Sequence, residues 1–122
     1  MIRRIRAAVA AFRNPTPVPA SSLDFAFGGT VWPGLAKLAE ESNEVGQVLA
    51  KLIQTGGDSQ HWSGDLVEML VEELPDLLAA YHVFFCLNPV LHPHAAAMND
   101  RALAKTRQFF AWHYDTLAER KA

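Results

Sequence analysis

The chain has little with which to cross-link itself. Cys86 is the single cysteine among 122 residues, so no intrachain disulfide can form, and a reducing cytosol is the simplest compartment. Cys86 lies in an apolar run and reads as a core residue. Long hydrophobic runs are missing too: His82 and Asn88 interrupt the best candidate, which falls short of the ~18 apolar residues that a membrane-spanning helix needs. A soluble, cytoplasmic protein with no membrane partner is expected. Net charge is nearly absent, at −2 in formal terms, and gives no general electrostatic ground for a nucleic-acid partner. No stretch of useful length alternates apolar and polar residues as a half-buried strand would, and no segment repeats. Acidic residues are absent before Asp24, whereas Arg3, Arg4, Arg6 and Arg13 all lie there. An arginine-rich, acid-poor start is a feature of organelle transit peptides, but serine enrichment and an apolar signal core are lacking. The reading is a short amphipathic helix with Ile2, Ile5, Val9 and Phe12 on one side.

Half of the residues are apolar, enough for one core in a single domain spanning residues 1–122. The stretch "NPTPVPASS" holds three prolines in nine residues and is expected to be extended. Residues 1–22 thus form an N-terminal helix and a proline-rich arm, and residues 30–118 the core helices. The first long helix follows "FGGTVWPG", with Thr30 as an N-cap and Pro33 near its first turn. It ends at "QTGGD", where Gly56 or Gly57 supplies a C-terminal cap. A loop, "GGDSQHWSG", leads to a second long helix that Ser63 or Asp65 caps. "NPVLHP" stops that helix, and a last one runs from His94 to about Leu117. The fold class is all-α.

Acidic residues then raise the main question, because some fall where a core should be. Each residue advances ~100° around a helix. On the first long helix Leu38, Val45, Val48, Leu49 and Leu52 form the apolar stripe, and Glu41 lies within it. Glu44 sits ~60° from Glu41, at the stripe's edge, and Glu40 points further out. On the second helix Leu66, Leu70, Leu77, Tyr81 and Phe84 form the face, and Glu73 lies inside it. Asp76 borders that face beside Met69, Ala80 and Val83, while Glu68 and Glu72 lie further out and read as solvated charges. Burying an unpaired carboxylate costs several kcal/mol, and grouping several adds repulsion. Only Lys37 and Lys51 share the first helix as counter-charges. A divalent cation resolves the conflict, since hard oxygen ligands at i, i+3 spacing from two facing helices suit Mg²⁺ or Mn²⁺. A carboxylate-bridged di-iron site needs Glu-x-x-His pairs, and no glutamate here has a histidine three residues later. Zinc is poorly served: Cys86, His92 and His94 lack a ligand spacing and a fourth partner.

The run "EESNE", with Glu40, Glu41 and Glu44, is followed after 28 residues by "ELPD", with Glu73 and Asp76. This pattern resembles the EExxE…ExxD signature of the MazG-like all-α nucleoside triphosphate pyrophosphohydrolases. The likeness extends from "WPGLAKL" through "GGDSQHWSG" to "RALAKTRQFFAWH". It implies Mg²⁺-dependent hydrolysis of an NTP or dNTP to the monophosphate and pyrophosphate by metal-activated water, with Mn²⁺ as a substitute. Glu41, Glu44, Glu73 and Asp76 would be the metal ligands, and Glu40 would bind another metal or orient water. The resemblance also implies a helical bundle whose core is completed by dimerisation, in a homodimer or homotetramer. Pro75, between the two ligands of the second helix, removes a backbone donor and disfavours helix at Leu74, so a kink is expected there.

Hydrolysis between the α and β phosphates also calls for cationic groups on the departing pyrophosphate. Arg101, Lys105, Gln108 and Trp112 form one stripe of the last helix, opposite Leu103, Phe110 and Leu117, and are candidates for phosphate contact; a solvated polar face is the other reading. Lys37 is either a phosphate contact or the ion-pair partner of Glu40 or Glu41. His61 and Trp62, between the acidic helices, either close over a nucleotide with Trp62 stacked on the base or cap the core. Competing functions are a catalytically inactive metal- or nucleotide-binding regulatory module and an oligomerisation protein with its carboxylates in solvent.

Overall fold

The computed structural model describes residues 20–122; the expected N-terminal helix and the arm as far as Pro19 lie outside the described residues. A short 3-10 turn, Ser22–Phe25, opens the described chain. Helix α1 spans Leu35–Gln54, rich in leucine, alanine, lysine, glutamate and glutamine, which favour helix and outweigh Asn43 and Gly46. Its N-cap is Gly34, not Thr30, in the left-handed conformation at φ 87°. The preceding residue pair explains the shift. Pro33 disfavours the right-handed helical region for Trp32, which adopts φ 45°, so the chain turns twice through the left-handed region before the helix begins. At the other end Gly56 and Gly57, at φ 68° and 93°, close α1 as expected. The Gly57 N–H donates to the Leu52 carbonyl at 2.8 Å, satisfying an otherwise orphaned acceptor.

A small hairpin follows where a loop is expected. Strand β1 (Gln60–His61) pairs antiparallel with β2 (Gly64–Asp65), and Trp62 and Ser63 form the turn. Strands of two residues are too short to show alternation. Helix α2 spans Leu66–Leu87. Asp65 is its N-cap, with one carboxylate oxygen accepting from the N–H groups of Val67 and Glu68 at 2.8 and 3.3 Å. Pro75 lies within this single helix. A second 3-10 turn, Pro89–His94, leads to α3, Ala95–Lys121, which runs four residues past the expected end at Leu117.

Helices α1 and α2 pack along their length as an antiparallel pair. Val45, Val48, Leu66 and Ala80 are the buried apolar residues, joined by Glu41 and Asn88. Leu38, Leu52, Leu70, Leu77 and Phe84 flank them, partly buried. Leu49 and Tyr81, expected on the packing stripes, are exposed instead. Cys86 is also exposed: it lies 20 residues beyond Leu66, ~200° around the helix axis and so on the far side from the core. Helix α3 packs on the second 3-10 turn and contains no buried residue. The all-α class holds, with the small hairpin as its one addition among the described residues.

Asn88 joins the two ends of the pair. Its side-chain amide donates to the Pro33 and Phe84 carbonyls at 2.9 and 2.7 Å. The segment before α1 is thereby tied to the end of α2, with Gly34 packed between the Phe27 ring and the backbone of Phe84.

Removal of the α2 cap is expected to loosen this frame. Asp65→Ala should lower Tm by about 4 °C at neutral pH. The backbone N–H groups of Val67 and Glu68 hold the Asp65 carboxyl below its ordinary value of 3.8. Its contribution is therefore present above that value and is lost as the pH falls through the lowered pKa. Thermal melts of both proteins across acid pH should show the difference closing below 3.8.

Candidate metal centre

Glu41 owes its place to helical periodicity. It falls on the row Leu38, Glu41, Val45, Val48 and Leu52 that packs against α2, and it is only 3 % exposed. Across the interface, Glu73 lies on the α2 row Leu70, Glu73, Leu77 and Ala80 and is partly buried, while Asp76 stands exposed at the rim. Carboxylate oxygens of Glu41, Glu73 and Asp76 lie within 4.8 Å of one another. Two unit charges at that separation repel by about 3 kcal/mol at an effective dielectric near 20.

The partners of these groups are few. Lys37, one turn before Glu41, places its Nζ 2.5 Å from Glu41 Oε1 and 3.3 Å from Glu40 Oε2. Hydrogen bonds with Glu41 first, and with Glu40 second, hold the Lys37 ammonium above its ordinary range. Glu41 Oε2 is buried and has no hydrogen-bond partner. Glu44 sits at the edge of the group, its carboxyl pushed up by burial and then by the charges of Glu41 and Glu73. Glu40 stays outside, paired with Lys37 and more than half exposed.

The donor set fits a hard divalent cation. Glu41, Glu73 and Asp76 offer oxygen atoms alone, from two helices, and a buried carboxylate oxygen stands without a donor. Cations of the Mg²⁺ and Mn²⁺ type take such ligands. No other group of three ligand-bearing side chains comes together among the described residues. His92 is engaged with the Phe85 carbonyl at 3.0 Å, and Cys86 lies 3.7 Å from His82 alone.

A cleft of about 280 Å³ opens beside the carboxylates. Lys37, Glu41 and Asp76 are its charged lining. Ala79, Ala80 and Val83 continue the α2 wall one and two turns beyond Asp76, and Phe27 reaches in from the segment before α1. Helical spacing already sets Ala80 and Val83 beside Asp76, whereas nothing in a linear pattern marks Phe27 or Ala79. Asn88, which holds the Phe27 segment in place, shows in the sequence only as a polar break before Pro89.

The remaining candidate residues lie elsewhere. His61 and Trp62 belong to the small hairpin, where His61 Nδ1 meets Ser63 Oγ at 2.6 Å and Trp62 is 92 % exposed. Arg101, Lys105 and Trp112 lie on α3, and the Lys105 ammonium donates to Gln108 at 2.8 Å. None of these five lines the carboxylate cleft. The hairpin turn projects from the end of the helix pair, and α3 leaves it at the second 3-10 turn. Comparison of the chain with protein-family models, curated proteins and solved structures finds no match.

The strain among the carboxylates has a measurable sign. Glu44 binds its proton more tightly in the folded protein than its ordinary value of 4.5 implies. Folding stability therefore falls as pH rises from 4.5 through the raised value. In EDTA, Glu44→Gln should raise Tm by a few degrees at about pH 7, and the gain should vanish in melts below 4.5.

Proposed function

We propose that this chain is a Mg²⁺-dependent nucleotide pyrophosphohydrolase of the MazG-like all-α type, hydrolysing an NTP or dNTP to the monophosphate and pyrophosphate. The observation that carries this reading is the buried, half-unpartnered Glu41 carboxylate, gathered with Glu73 and Asp76 beside a partly apolar cleft. The order Glu40, Glu41, Glu44 and then Glu73, Asp76 supports it from the sequence.

Glu41, Glu73 and Asp76 hold the cation, and Glu44 at the edge of the group completes the set. Bound there, a divalent cation supplies charge screening on the phosphates and makes a water more acidic. Burial of Glu41 keeps its carboxylate from swinging into solvent, which fixes the site relative to the cleft. Glu40, outside the cluster and paired with Lys37, would bind another metal or orient water. Phe27 and the wall of Ala79, Ala80 and Val83 seat the ring of the base. A wall of that kind reads apolar area and not a pattern of donors and acceptors, so it tolerates different bases.

Assembly with a second copy belongs to the same reading. Val67, Val71, Leu74, Leu78 and Tyr81 form a second apolar row on α2, at helical spacing, and all are exposed. Leu103, Phe110 and Leu117 on α3 are exposed as well. An isologous pair that buries this row against itself would complete a core that the single chain leaves half built.

Two outcomes follow. With Mg²⁺ and a panel of NTPs and dNTPs, pyrophosphate and monophosphate should appear in equal amounts, and Glu73→Gln should slow their release on the order of 100-fold or more. No release from cooperatively melting protein would leave a binding module without turnover. By light scattering after size-exclusion chromatography, the protein should run as a dimer or a multiple of one, and Val71→Glu should shift it to the monomer mass.

A further inference from the structure

Resting on that reading, we infer that Lys37 is a built-in counter-cation of the metal site, displaced from Glu41 when a divalent ion binds and then free to meet the anionic ligand in the cleft.

Both ion pairs found among the described residues converge on this one ammonium. It faces two glutamates directly, Glu40 and Glu41, with Glu44, Glu73 and Asp76 gathered around Glu41. One positive charge against five carboxylates cannot neutralise the group. It does provide the buried Glu41 with a cation while the site holds no divalent ion. Without it, Glu41 would be an uncompensated charge in a nearly closed position.

Lys37 is also built to leave. Its side chain is 40 % exposed and that of Glu41 only 4 %, so the flexible partner is the lysine and the fixed one the carboxylate. Four methylenes separate the ammonium from the helix, and rotation about them moves it without disturbing α1. A divalent ion on Glu41 and the ammonium on Glu41 repel one another and compete for one carboxylate. The residue already lines the cleft together with Asp76, so an ammonium released from Glu41 stays beside the ligand. There it would contact a phosphate as a mobile point charge.

This exchange predicts effects of opposite sign on cation binding and on anion binding. Mn²⁺ binding to the full chain is measured by calorimetry without nucleotide, and binding of a non-hydrolysable nucleoside triphosphate is measured at saturating Mn²⁺. Lys37→Met should bind Mn²⁺ about tenfold more tightly than the wild type, because a competing charge is gone. It should bind the triphosphate about tenfold more weakly. Its Tm should drop in EDTA and recover with Mn²⁺. Lys37→Gln should repeat these shifts should the methionine variant fold poorly, and Lys37→Arg should show no gain in Mn²⁺ affinity. Mn²⁺ binding that is unchanged or weaker in both folded neutral variants would overturn the exchange and leave the metal site standing. Absence of Mn²⁺ binding from wild type and variants alike would overturn the metal reading itself, and the exchange with it.

Discussion

A carboxylate sits in the packing interface of this protein, and much of the structure is arranged around that fact. Glu41 occupies a core position of α1 one turn from Val45, and one of its oxygens has no donor. An apolar residue there would extend the core at no electrostatic cost. The chain instead places Glu73 and Asp76 opposite it, which makes the charge problem worse, and sets a single lysine against it. Such an arrangement costs stability and gathers oxygen atoms of the kind that a hard divalent cation takes as ligands.

The remainder of the short helix pair serves to hold this cluster beside a cleft. Asn88 binds the end of α2 to the segment before α1. That segment turns sharply through Trp32 and Gly34, both at positive φ, and delivers Phe27 to the wall of the cleft. The result is a charged group and an apolar surface within one small cavity. Among the described residues only four apolar residues are buried, Leu66 alone of them completely, so the core they form is thin. The outer apolar row of α2 stands exposed beside it.

In the proposed exchange Lys37 would link the stability of the carboxylate cluster to ligand binding. While the site lacks a cation, the ammonium offsets part of the charge on Glu41; its exposed, flexible stem leaves it able to change partners. The same side chain can therefore protect the fold in one state and serve the ligand in another. What would join the two roles is the repulsion between an ammonium and a divalent ion held on the same carboxylate.

Helix periodicity determined a good deal from the sequence alone. The all-α class and the inward positions of Glu41 and Glu73 follow from spacing of three and four residues, because neighbours on a helix face are local in the chain; residue type narrowed the caps to Ser63 or Asp65 and to Gly56 or Gly57, and the structure uses Asp65 and both glycines. Periodicity could not separate the inner row of α2 from its outer one, since both are apolar at helical spacing; Tyr81 and Cys86 therefore ended on the exposed side. Nor could it place side chains that meet only across elements. Phe27 reaches the α2 wall through contacts of Asn88 with a carbonyl 55 residues away, and Arg101, Lys105, Trp112, His61 and Trp62 stand off the cleft because their elements diverge from the helix pair. The local rules decided which residues share a face, and the tertiary structure decided which face meets which, because long-range contacts depend on the packing of the whole chain.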